Sequence, residues 1–145
     1  MLGAVGVLAL VIVFAFGALF YFGFVQRGGV YDGLRARLAQ STLNSLVPAI
    51  EFYKLQHGTY PESLDQLRKS LPKDSITPVF DPTITHFGTS PKPFFYERVG
   101  SDHYYLRGVG ADGIPFTPDD ILPDIDPATR DKTGLLIAPP ALREP

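Results

Sequence analysis

The first twenty-five residues, Met1–Val25, read MLGAVGVLALVIVFAFGALFYFGFV and contain no charged or strongly polar side chain. At helical rise such a run covers the ~30 Å hydrocarbon core of a bilayer, so the sequence predicts a membrane helix. A signal peptide needs a basic n-region, a shorter apolar core and a small-residue cleavage site. Here the basic n-region is missing and the core is too long, so a retained anchor is expected. Phe20, Tyr21, Phe22 and Phe24 would form its interfacial end.

What remains of the 145 residues, from about position 30 onward, is enough for one small domain. A formal net charge of −2 and no lysine-arginine cluster leave no basic surface for nucleic acid. The absence of cysteine excludes disulfides and thiolate metal sites and is compatible with any compartment.

QRGG at positions 26–29 reads as a joint, because paired glycines weaken a helix. A helix over 30–57 is expected next. Ala39, Leu43, Leu46, Ile50 and Tyr53 recur at spacings of four, three, four and three, which makes one apolar face. Arg35, Arg37, Gln40, Asn44, Glu51 and Lys54 fall mostly on other faces, and Pro48 inside the helix predicts a kink. His57-Gly58 supplies a glycine stop. Pro61 at a first helical position, with Glu62 behind it, predicts a short helix over 61–71 that ends at Pro72. The chain from Pro72 to Pro93 is expected to be irregular. Residues 94–99 and 103–107 then read as two strands joined by a turn at Gly100-Ser101-Asp102, in a small antiparallel sheet spanning about 94–110. A long helix laid on that sheet buries both apolar faces, which sets the fold class as α+β.

An acidic loop and tail occupy 110–145. GADGIPFTPDDI, Gly110–Ile121, holds three aspartates, two glycines and two prolines, with no lysine or arginine. Such carboxylates repel one another unless a cation sits among them, and calcium takes six to eight oxygens of this kind. The spacing is not that of an EF-hand. A solvated, aspartate-capped turn is the other reading of the same composition, and the residues alone leave both open.

Two stretches, YKLQHGTYPESLDQL (Tyr53–Leu67) and YYLRGVGADG with a closing DDI, carry a family resemblance. Over Leu43–Ile121 the chain resembles the G-type major pseudopilin of bacterial type II secretion systems, within the type IV pilin-like family. The resemblance implies a pilin-like fold and a helical filament formed through the hydrophobic part of the N-terminal helix. It also implies calcium in the loop after GADG, with Asp112, Asp119 and Asp120 as carboxylate ligands and the carbonyls of Val109 and Ile114 as main-chain candidates. Copies of the chain or related pseudopilins, secretion-machinery proteins of the inner membrane and membrane lipid are the implied partners. The implied location is the bacterial inner membrane, single-pass, with the soluble domain in the periplasm. The chain departs from the family at its N-terminus, where position 5 is Val5 rather than glutamate and no basic leader stands before the apolar run. Two readings follow: a sequence lacking its leader, or an uncleaved relative. Arg27, Arg35 and Arg37, opposed only by Asp32, would by the positive-inside rule put that flank in the cytoplasm, against the periplasmic placement.

The expectation is therefore a structural subunit and not an enzyme. The alternative is a non-polymerising, membrane-anchored periplasmic accessory. Ser101, Asp102 and His103 are consecutive and cannot align as a hydrolase triad. His57, His86 and His103 have no metal spacing. Tyr60, Phe94, Phe95, Tyr96, Tyr104 and Tyr105 lack interleaved bases and read as packing residues. The tail from Thr133 has one apolar run, Leu135–Ala138, which suits either an added edge segment or a contact surface.

Overall fold

The structure is a computed structural model that describes residues 2–22, 30–75, 77–84 and 90–139. The expected joint at 26–29, Phe24 and His86 lie outside the described residues. The chain divides into two units, 1–35 and 36–145.

In the first unit α1 spans Leu2–Phe20, and a π-type turn follows at Tyr21 and Phe22. Large side chains on every face are exposed, among them Val7, Leu10, Phe14 and Phe16. At about 1.5 Å per residue α1 reaches ~28 Å, just short of the ~30 Å hydrocarbon thickness. Among the described residues no helix is long and apolar enough to cross a membrane.

The second unit is built on α2, Val30–His57, from Ala36 onward. The expected stripe is its buried face: Ala39, Leu43, Leu46 and Ile50 are fully buried, Tyr53 nearly so, and Val47 joins them. Pro48 lies inside the helix, which continues through it. Gly58, at φ 80, ends it in the left-handed conformation that suits glycine, and its N–H bonds the Lys54 carbonyl at 2.7 Å.

The next helix begins later than the sequence suggested. α3 is Leu64–Ser70, and its cap is Ser63, whose side chain accepts the Gln66 N–H. Gln66 reaches back past the cap to accept the Glu62 N–H at 2.6 Å, so the Ser63 and Gln66 side chains each satisfy an amide at the helix start. Pro61, expected at the first helical position, is buried instead together with Tyr60, and the Pro61 carbonyl accepts the Tyr96 hydroxyl at 2.7 Å.

β1 (Phe95–Val99) and β2 (His103–Arg107) form the expected antiparallel hairpin, with Tyr96 opposite Leu106 and Arg98 opposite Tyr104. Its turn uses Gly100 at φ 62. The sheet is mixed rather than antiparallel, because β3 (Leu135–Leu136) pairs parallel to β2. The excursion from residue 108 to 134, which contains α4 (Pro127–Arg130), brings the chain back to run in the same direction as β2. The sheet order β1-β2-β3 puts β2 in the centre, which is why Tyr104, Tyr105, Leu106 and Arg107 are all buried. The apolar tail run is thus an edge strand. Phe94, Tyr104, Leu106, Leu135, Leu64, Leu67 and Val79 share one core with the α2 stripe.

Candidate metal centre

Gly108 and Ile121 exchange two backbone hydrogen bonds of 2.8 Å, closing the neck of a loop directly after β2. Between them Gly110 and Gly113 take positive φ of 62 and 71. At Gly110 the reason is also steric, since a Cβ there would lie 2.6 Å from the Asp119 carboxyl carbon.

Asp119 is the organiser of the exposed side. Its Oδ2 accepts the N–H groups of Ala111 at 2.9 Å and Asp112 at 3.3 Å, and its Oδ1 accepts the Thr117 hydroxyl at 2.7 Å. The Thr117 hydrogen bond first, then those backbone donors, hold its carboxyl below the usual carboxylate range. Asp112 is exposed and its Oδ1 accepts the Ile114 N–H at 2.8 Å. Val109 is buried, whereas Ile114 is exposed with its carbonyl oxygen 3.0 Å from the Thr117 hydroxyl oxygen.

Asp120 turns one carboxylate oxygen away from this group. Its Oδ2 accepts Arg107 Nη1 at 2.9 Å and the Phe116 N–H at 2.7 Å, and both members of the ion pair are 4% exposed. The sequence reading, in which no base stands near the loop's aspartates, is corrected here. The neck at Gly108 and Ile121 brings the last residue of β2 beside the last aspartate of the loop.

The loop therefore joins Asp112 to Asp119 through the Asp112 N–H, while Asp120 gives its Oδ2 to Arg107 and lies with its Oδ1 3.4 Å from the Thr117 hydroxyl that Asp119 also binds. An oxygen-only set of Asp112, Asp119 and nearby carbonyls has the chemistry a hard cation takes. Asp120 has one oxygen, Oδ2, committed to a buried guanidinium. Among the described residues no group of three or more histidine, cysteine, aspartate or glutamate side chains is arranged to hold a metal.

No protein-family model, curated protein or solved structure matches the chain.

Three organising groups were not read from the sequence. Asp81 is fully buried beside the loop, where its Oδ2 accepts the Val109 N–H at 3.0 Å and its Oδ1 accepts the Thr83 N–H at 2.8 Å. The sequence signal is the Asp81-Pro82-Thr83 turn, which looks like any surface turn. Glu51, placed by periodicity on an outer face of α2, is half-buried and accepts hydroxyls from Tyr60 at 2.8 Å and Tyr104 at 3.1 Å, and the Gly134 N–H at 3.1 Å. Arg107 is the third. Ser101, Asp102 and His103 sit at the hairpin turn, where Asp102 bonds Lys54 at 2.8 Å and the Ser101 hydroxyl at 2.8 Å. His57 stacks on Tyr53, with ring centres 4.0 Å apart.

Proposed function

We propose that this chain is a membrane-anchored structural subunit of pseudopilin type, which assembles with copies of itself or related subunits through its N-terminal helix. The observation that carries the reading is the order of parts. An uncharged helix exposed on every face precedes a helix whose apolar face is covered by a small sheet, and a closed aspartate loop follows the central strand. An all-round apolar helix needs lipid or similar helices around it. The subunit would lie in the bacterial inner membrane with its folded part in the periplasm, where calcium is available to Asp112 and Asp119. Calcium acts here as a folding ligand, stabilising by mass action the state that holds the closed loop.

The calcium element is tested by thermal unfolding of the full chain in detergent. Calcium should raise the midpoint by several degrees and magnesium should not, since a ligand at about 100 times its Kd adds ~2.7 kcal/mol. Asp112→Ala should remove the increment without changing the midpoint in chelator. Equal losses in calcium and chelator would reduce Asp112 to a turn residue.

A second reading, the non-polymerising accessory, is favoured by an open, mostly apolar groove along α2 lined by Val47, Pro48, Phe52, Leu55 and Ile125. Because the chain has no cysteine, one introduced at Val11 reports helix contacts without background. Cross-linked dimers in membranes are expected of the subunit. Monomer alone would favour the accessory.

A further inference from the structure

The groups around Arg107 form a closed set. Nη1 donates to Asp120 Oδ2 at 2.9 Å, and Nη2 donates to the Ile137 carbonyl at 3.0 Å. The guanidinium carbon lies 4.0 Å from the centre of the Phe116 ring, within cation–π range. That ring is held edge-on by Phe95 at 5.5 Å and Tyr105 at 5.1 Å. Phe116 is the one non-glycine residue with positive φ among the described residues, at 69, and its N–H is bound by the same Asp120 oxygen that meets Arg107. A bulky side chain in the left-handed region is disfavoured, so it persists only where its surroundings fix it.

We propose that the Arg107 guanidinium is the resident counter-cation of the 108–121 loop, so that Asp120 and Phe116 serve this clamp and any metal is left to Asp112 and Asp119. The Arg107 charge offsets that of Asp120, whose Oδ2 takes both Arg107 and the Phe116 N–H while its Oδ1 lies 3.4 Å from the Thr117 hydroxyl. Turning Asp120 outward to a metal would leave Arg107 buried without its partner, the outcome that makes broken buried pairs so unfavourable. The Nε of Arg107 is buried with no hydrogen-bond partner among the described residues, so the guanidinium has no spare contact with which to compensate. Arg107 also holds Ile137, just beyond β3, and one side chain therefore positions both the loop and the chain segment that completes the sheet.

The calcium part of this inference rests on the function proposed above, whereas the pairing does not. The test is the melting of full-length Asp120→Asn in detergent, in calcium and in chelator. The midpoint should fall by ~10 °C in both, and the increment calcium gives the unmodified chain should survive. Loss of that increment would make Asp120 a metal ligand and overturn the proposal. Should calcium give the unmodified chain no increment, the calcium reading fails, and a double-mutant cycle of Arg107→Gln and Asp120→Asn decides the clamp alone. A double variant no worse than either single one supports it, and additive losses overturn it. Should these variants not fold, the Arg107 Nε–H resonance of the unmodified chain decides. Slow exchange and no movement on adding calcium chloride are expected, while movement together with the Asp112 and Gly113 amides would overturn the clamp.

Discussion

Gly134→Ala lowers the free energy of unfolding by about 3 kcal/mol, measured by chemical denaturation of the full chain. A Cβ at this position would meet the Asp102 carbonyl and lie 2.5 Å from the Tyr60 hydroxyl and 2.6 Å from the edge of its ring. One obstacle is backbone, which cannot step aside. The other is a buried ring whose hydroxyl bonds Glu51 at 2.8 Å and accepts the Gly134 N–H at 3.0 Å. Moving Tyr60 therefore breaks the contact between α2 and the sheet, and moving Gly134 breaks its carbonyl's bond to the Tyr104 N–H at 2.9 Å. A loss below about 1 kcal/mol would mean that the ring turns away freely, and would remove Gly134 from the list of residues the fold requires.

Glu51→Ala is the second large effect, expected at roughly 3 kcal/mol, because it leaves the hydroxyls of Tyr60 and Tyr104 without their acceptor. Glu51→Gln keeps an acceptor and should lose less than half as much; equal losses for both would show that packing rather than hydrogen bonding is at stake. The same cluster sets an alkaline limit. Burial first, then the Glu51 charge and hydrogen bond, raise the Tyr104 hydroxyl well above its ordinary pKa; burial likewise raises Tyr60 and Tyr96. A raised folded pKa means that the folded state keeps protons the unfolded state gives up. That stabilisation is complete below pH ~10 and is lost as pH rises beyond it. Denaturation midpoints should be flat from neutral pH to about 9 and fall steeply above 10, and Glu51→Gln should soften the fall by removing the carboxylate charge. A midpoint unchanged at pH 11 would contradict the burial of these hydroxyls.

The parts of this fold that repeat a local rule were legible in the sequence. Ala39, Leu43, Leu46, Ile50 and Tyr53 announce a buried face by spacing alone, Gly58 marks a stop that glycine takes readily, and residues 94–107 read as a hairpin. Most of what failed depends on partners distant in sequence. The start of α3 is the exception, since Ser63 with Gln66 three residues on is a local signal, while Pro61, expected as the first helical residue, is drawn into the core. Glu51 looks like one of several polar residues flanking the stripe until the sheet presents Tyr60 and Tyr104 to it. Gln40 and Asn44, from the same flank, bind the Leu122 carbonyl and the Asp124 N–H and so fasten the chain after the loop to α2. In the loop, composition identified the aspartates but not their divisions of labour. Nothing in GADGIPFTPDDI states that Asp120 faces Arg107, because that pairing is made by the neck at Gly108 and Ile121.

The parallel placement of β3 also orders events in time. β1 and β2 are joined by a three-residue turn and can pair as soon as both have been synthesised, whereas Tyr104 meets Leu135 only after the whole intervening excursion has been laid down. The entropy of closing that long connection is lost before the pairing returns anything, which makes such contacts late ones. A nascent chain therefore carries, for a while, a central strand with one side unsatisfied, the kind of template on which neighbouring chains can pair wrongly. The two-residue length of β3 keeps that vulnerable stretch as short as a strand can be.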